Sequence, residues 1–138
     1  MPVHLLERIR NGYEAWNRGD LDDTLAVISP DVEWLTSASF PGVQPAYHGH
    51  DGFRQFWTHL HEPWESIHVE IESYERDEEV ATLMIRFHGI SKGSGVPVDL
   101  PWFQAVVIED ELVTRSALAR TIGDALEALD ISDRWPEF

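Results

Sequence analysis

The sequence predicts an α+β fold, a cone-shaped α+β barrel in which three N-terminal helices pack on a strongly curved, mostly antiparallel sheet. In the first half of the chain, apolar residues recur every three or four positions, which is the period of a helix face. From about residue 67 onward they alternate with polar residues, which is the period of half-buried strands. Because the helices come first and most strands follow, the order does not fit alternating βαβ units. Such a cone encloses an interior that suits a small molecule.

The N-terminal half is predicted to hold three helices and one strand. The first helix has an apolar face from Leu5 to Trp16, and Asp20 caps a second helix that ends at Ser29 because Pro30 follows. The third helix ends before Pro63. The predicted bounds are 3–16, 20–28 and 50–62 for the helices and 31–36 for the strand, with a loop over 37–49 that turns at Phe40-Pro41-Gly42.

The C-terminal half is predicted to form four antiparallel strands and a closing helix. Apolar and polar residues alternate over 67–72 and 83–88, and a hairpin turn at 76–79 joins these two strands. Two more strands follow near 97–109 and 112–119. Thr121 then caps a helix that runs through Ala128.

Composition limits the partners of the chain. Its 138 residues predict one domain over 1–138, and 10 Lys and Arg against 25 Asp and Glu give a net charge of −15. This charge would repel nucleic acids and anionic membrane surfaces, so neither is an expected partner. Cysteine is absent and no apolar stretch is long enough to span a bilayer, so we expect a soluble cytoplasmic protein without a cofactor.

Four short segments occur in a fixed order: Ala15-Trp16-Asn17-Arg18-Gly19-Asp20-Leu21-Asp22, Ser29-Pro30-Asp31-Val32-Glu33-Trp34, Tyr47-His48-Gly49-His50-Asp51-Gly52-Phe53 and Gly93-Ser94-Gly95-Val96. In order and spacing they resemble the SnoaL-like polyketide cyclase family, within the nuclear transport factor 2-like superfamily. The resemblance implies a small apolar pocket inside the cone. Because these motifs are caps, turns and strand starts, they point to the fold rather than to a reaction.

The sequence offers no recognisable metal or nucleophile site. His59 and His61 lie two apart on a helix and cannot face one ion, and no carboxylate or thiolate set completes His48 and His50. Ser94 lies between two predicted strands, which does not fit a nucleophile elbow. We therefore expect no metal.

Proton transfer is the chemistry that the resemblance implies. The ketosteroid isomerases of the superfamily use an Asp base, a second Asp and a Tyr. The resemblance places the base at Thr36, the second Asp at Gln104 and the Tyr near Gly12, one step from Tyr13. The isomerase set is therefore not present.

The epoxide hydrolases of the superfamily hold a water with an Arg and two Asp. Here the resemblance matches Arg86 alone, and the last Asp position falls near Ser116. His88 is then the one imidazole on a predicted central strand and becomes the tentative base, with Gln104 as its partner. Strand alternation offers the opposite placement, in which Leu83, Ile85 and Phe87 face the cone and Arg86 and His88 face outward.

Several further residues are expected at the pocket wall. Trp102 and Gln104 share one strand face that the resemblance turns inward, and Trp34 and Thr36 do the same on the first strand. For the aromatic residues plain core packing is the alternative, and for Arg120 a surface ion pair. The expected ligand contacts are Tyr13, Trp16, Trp34, Thr36, Phe53, Trp57, Arg86, Trp102, Ser116, Leu118 and Arg120.

Two functions remain open from the sequence. One is an isomerase or cyclase that moves a proton on an apolar carbonyl compound. The other is a noncatalytic protein that binds an apolar ligand or serves as an association module, which the replacement of both acids by Thr36 and Gln104 favours. In either case a homodimer through the outer face of the sheet is expected.

Overall fold

The computed structural model describes residues 2–36 and 43–131. The predicted turn at Phe40-Pro41-Gly42 lies outside the described residues. Elements are, in chain order, α1 (Pro2–Arg18), α2 (Leu21–Leu25), β1 (Ile28–Thr36), β2 (Ala46–His48), α3 (Gly49–His61), β3 (Trp64–Asp77), β4 (Val80–Ser91), β5 (Pro97–Glu109), β6 (Leu112–Ala119) and α4 (Ile122–Ala128). The α+β class and the order of helices and strands are as predicted.

The six strands form one sheet in the order β2-β1-β6-β5-β4-β3. Neighbouring strands are antiparallel except β1 and β6, which run parallel. The prediction of a mostly antiparallel sheet is therefore confirmed. No helix in the described part of the chain is long and apolar enough to cross a membrane.

Local sequence sets the predicted helix starts. The Asp20 carboxylate accepts a hydrogen bond from the backbone N–H of Asp23, and the Thr121 hydroxyl accepts one from the N–H of Asp124. Each side chain satisfies a backbone donor that the first turn leaves unpaired. Both predicted N-caps are confirmed.

Several boundaries differ from the predicted ones, among them β3 and β4, which are longer than predicted, and two of the differences arise because strand pairing overrides local pattern. Ile28 begins β1 and pairs with Val113 of β6, rather than ending the second helix. Ala46–His48 forms a short strand on β1 within the predicted loop. Three residues carry too little alternation to indicate a strand, and β1 supplies the ladder that makes one.

Helices α1, α2 and α3 pack on one face of the sheet, which we call the inner face. The side chain of Asn17 fixes α1 to the edge strand β3: its amide donates to the Val69 carbonyl at 2.8 Å and accepts from the Val69 N–H at 2.8 Å. These two hydrogen bonds satisfy backbone groups of Val69 that an edge strand otherwise leaves unpaired.

Helix α4 packs on the opposite, outer face of β5 and β6. Small residues make room for it, since Ala105, Ala117 and Ala119 are fully buried beneath Ala125 and Leu126. We expected the outer face to meet either solvent or another subunit, and for this part of the sheet a helix of the same chain is the cover instead. The rest of the outer face, on β3, β4 and β5, carries charged side chains.

Candidate ligand-binding cavity

The three inner helices and the sheet enclose a cavity of about 80 Å³. One water molecule needs roughly 10–15 Å³, so the cavity is several waters in size. Carbon atoms form nearly all of its surface. Its walls are Ile9, Gly12, Tyr13, Trp16, Thr24, Val27, Ile28, Trp34, Phe53, Phe56, Leu60, Val69, Ile85, Phe87, Trp102, Gln104, Val106, Val113 and Leu118.

A chain of hydrogen bonds joins α1 to the sheet at the cavity wall. The Tyr13 hydroxyl donates to Gln104 Oε1, and Gln104 Nε2 donates to the Ser116 hydroxyl at 2.9 Å. Gln104 and Ser116 are buried, so each needs a partner within the protein. The chain satisfies three polar side chains that would otherwise be costly inside an apolar core.

Among the described residues that line the cavity, Tyr13 is the one with an ionisable side chain. Burial raises the pKa of its phenol far above the ordinary value, because the apolar surroundings disfavour the phenolate. Tyr13 therefore stays neutral throughout the physiological range. No carboxylate, imidazole, ammonium or guanidinium group belongs to this set of described lining residues.

Aromatic rings form one side of the cavity. Trp34 meets Phe53 edge-to-face at 4.8 Å between ring centroids, and Trp16 meets Phe53 at 6.1 Å. These are the preferred contacts of aromatic quadrupoles. The indole N–H groups of Trp16 and Trp34 are buried and have no acceptor in the described parts of the chain, and their nitrogen atoms have almost no accessible surface.

Gly12 allows α1 to approach the segment between α2 and β1. A Cβ atom at this position would lie 2.8 Å from Val27 Cγ2, which is closer than such atoms come. Glycine inside a helix costs about 1 kcal/mol relative to alanine, so the close approach explains its presence. The resemblance placed a Tyr near Gly12, but the phenol that reaches the cavity belongs to Tyr13.

Arg86 and His88 lie on the outer face. Arg86 contacts Glu72 and Asp99, both at 3.2 Å, and His88 Nδ1 lies 3.4 Å from Asp99 Oδ2. Ile85 and Phe87, which alternate with them, line the cavity. The hypothesis that Arg86 and His88 face the pocket is therefore wrong, and the outward placement that strand alternation offered is the one observed.

Seven of the residues predicted for the site line the cavity: Tyr13, Trp16, Trp34, Phe53, Trp102, Gln104 and Leu118. Four others are not among the lining residues. Ser116 lies behind Gln104, the Thr36 hydroxyl donates to the Gln44 carbonyl at 2.7 Å, and Trp57 packs on Trp16. Arg120 follows the end of β6 and is exposed.

Several wall residues that share a face with predicted ones were not predicted from the sequence. Ile9 lies one turn before Tyr13, and Phe56 and Leu60 follow Phe53 at helical spacing. Extending each predicted face would have found them. By contrast, no local pattern indicates that Val113 reaches the cavity, because its neighbours come from distant parts of the chain.

Known structures share this fold across most of the chain. TerC, crystallised with polyporic acid, is 16% identical, with 94% of this chain and 98% of TerC covered and a TM-score of 0.78. An NTF2-like protein of unknown function from Burkholderia pseudomallei K96243 is 19% identical over 89% of this chain and 95% of its own, with a TM-score of 0.77. A hypothetical protein with a ketosteroid isomerase-like fold from Catenulispora acidiphila DSM 44928, in complex with trimethylamine, is 16% identical over 92% and 95%, with a TM-score of 0.73.

Identities this low establish the fold alone. No curated protein matches the sequence at a significant level. The SnoaL-like domain family, however, matches residues 9–116. The chain therefore belongs to the SnoaL-like domain family, with the nuclear transport factor 2-like fold.

Proposed function

We propose that this protein binds a small, neutral, largely apolar molecule in the cavity and holds it without transferring a proton. The observation that carries this proposal is the cavity itself, enclosed by apolar walls around one short chain of polar side chains. Core side chains ordinarily pack without voids larger than a water molecule. A cavity of about 80 Å³ is several times that size, and a bound apolar molecule would fill it.

The charges of the lining residues and of the whole chain favour a neutral ligand. None of the described lining residues carries a charge, and the chain has a net charge of −15. An ion would lose its hydration without gaining an opposite charge, and an anion would also be repelled. TerC and the Catenulispora acidiphila protein are each described with a small organic molecule. These proteins of the same fold support a small organic molecule as the ligand, and they bear neither on its charge nor on its identity.

The lining residues also favour binding over proton transfer. An isomerase or cyclase needs a base with a pKa near the working pH. His88 lies on the outer face, and the Tyr13 phenol, whose pKa burial raises, is a poor base and a poor acid near neutrality. Gln104 keeps its predicted place but offers hydrogen bonds only.

The test is an NMR titration with toluene that follows the tryptophan indole N–H signals. We expect saturable shifts, because Trp16, Trp34 and Trp102 line the cavity. Val106→Phe fills the cavity and should abolish the shifts. The same change at the exposed Val96 should leave them intact. Titration without a response in the unmodified protein, or an equal response in Val106→Phe, would refute the proposal.

A pH series and a turnover assay test whether the protein transfers a proton. Affinity for toluene should not change between about pH 6 and pH 8, the range in which an ordinary His titrates. Enol and ketone substrates should show no turnover above the rate in buffer. Turnover that Tyr13→Phe removes would establish the isomerase or cyclase function instead.

We also propose that the part of the outer face outside α4 is where two copies of the chain would associate. It carries the ion pairs of Arg86 and the contact between His88 and Asp99, together with the exposed Ile90. Sedimentation velocity at micromolar concentration should show a dimer, and Ile90→Asp should shift it toward monomer. A monomer in the unmodified protein would contradict this expectation.

A further inference from the structure

We infer that the ligand of the cavity carries a hydroxyl group, or another hydrogen-bond donor, that bonds to the Tyr13 oxygen. The inference rests on the proposed function and adds the chemistry of the polar end of the ligand. It follows from the direction of the hydrogen bonds at the cavity wall rather than from the presence of polar residues alone.

The direction of the chain follows from which amide atom of Gln104 each hydroxyl contacts. Gln104 Oε1 has no hydrogen, so Tyr13 must donate its single proton to it. Gln104 Nε2 has no free lone pair, so it must donate to Ser116. The Tyr13 hydroxyl thus already donates its one proton to Gln104, and its oxygen can only accept a hydrogen bond from a ligand.

The hydroxyl of a second wall residue, Thr24, also donates its proton within the protein. Thr24 donates to the backbone carbonyl of Asp20 at 2.8 Å, so its oxygen can also only accept. The donors left near the chain are weaker candidates. Gln104 keeps one further amide hydrogen, while the indole nitrogen atoms of Trp16 and Trp34 are covered by their neighbours.

These directions select between ligands of equal size. A hydroxyl can donate to Tyr13 and accept from the second Gln104 N–H, whereas a ketone can only accept. A ketone can also accept from the second Gln104 N–H, but it has no proton to donate to the Tyr13 oxygen, so the hydroxyl forms one hydrogen bond more than the ketone does. The ligand class is therefore a small apolar alcohol, phenol or enol, in its neutral form.

Cyclohexanol and cyclohexanone form a matched pair for the test, with toluene as the apolar reference. NMR titration of the tryptophan indole signals gives the three dissociation constants. We expect cyclohexanol to bind about tenfold more tightly than cyclohexanone, the effect of one buried hydrogen bond. In Tyr13→Phe the two should bind equally. Tyr47→Phe removes a buried phenol that bonds to His59 outside the lining, so it should keep the preference.

Three results would overturn the inference. Equal affinities for cyclohexanone and cyclohexanol in the unmodified protein would mean that the chain donates to ligands. A preference for cyclohexanol that survives in Tyr13→Phe would place the acceptor elsewhere. Binding of toluene alone would leave the proposed function standing and remove this inference, whereas failure of all three compounds would remove both.

Discussion

The two faces of strands β4 and β5 differ in chemistry although their residues alternate along the same backbone. On the inner face, Ile85, Phe87 and Trp102 enclose the cavity, and Gln104 is the one polar side chain that these two strands add to its lining. On the outer face, Arg86 and the residues around it form ion pairs at the surface. Between Ile85 and His88, each step of one residue moves a side chain between the apolar cavity wall and the surface that carries these ion pairs. Because the charged side chains of these strands point away from the cavity, they cannot act on a molecule bound there.

The largest effect should come from a matched pair of neighbours on β4. Phe87→Ala removes a buried ring from the cavity wall and should lower the free energy of unfolding by about 3–5 kcal/mol. His88→Ala, one residue away on the outer face, should change it by less than about 0.5 kcal/mol. Urea denaturation measures both. Similar losses for the two variants would show that the faces are not energetically distinct.

The next effect concerns the polar chain on the inner face. Gln104→Leu leaves the hydroxyls of Tyr13 and Ser116 without their partner and should cost about 1–3 kcal/mol in denaturation experiments. Replacing all three residues, as Tyr13→Phe, Gln104→Leu and Ser116→Ala, should recover most of that loss because no polar group stays unpaired. A triple variant no more stable than the single one would contradict this account.

A smaller effect should appear as a pH dependence beside the inner aromatic rings. Burial lowers the pKa of His61 below about 6.5, against the opposing hydrogen bond from its Nδ1–H to the Trp57 carbonyl. The unfolded state therefore binds the proton more readily, and this contribution to stability is lost as the pH falls below about 6.5. In His61→Gln the loss of stability below pH 6.5 should be shallower than in the unmodified protein. An unchanged slope would argue against the buried neutral form.

The smallest effect belongs to the outer ion pairs. Arg86→Gln breaks contacts with Glu72 and Asp99 whose side chains are 39% and 60% exposed. Solvent and salt screen such pairs, so the loss of stability should be smaller than for Gln104→Leu and should vanish at about 1 M salt. A loss that persists at high salt would indicate that Arg86 also stabilises the sheet by packing.

Much of the fold could be predicted because its signals are local. Helix faces, the caps Asp20 and Thr121 and the alternation on β4 each depend on residues close in sequence. The same alternation correctly offered the outward placement of His88. The hypothesis that His88 faces the pocket rested on its assignment as a catalytic base. The local pattern did not support that placement.

Other features depend on contacts that sequence spacing does not record. β2 exists because β1 provides its ladder, and α4 covers the outer face because distant alanines leave room for it. Likewise, the partner of Gln104 is Tyr13, 91 residues away. Pairings of this length depend on the closure of the whole chain.

By itself the sequence determined the α+β class, most element positions and the residues available to the cavity, because hydrophobic periodicity and capping act within one or two turns. Only the tertiary structure decided which polar atoms meet and in which direction their hydrogen bonds run. A hydrogen bond requires its donor and acceptor within about 3 Å, and only the packing of α1 over the sheet brings the Tyr13 hydroxyl that close to Gln104.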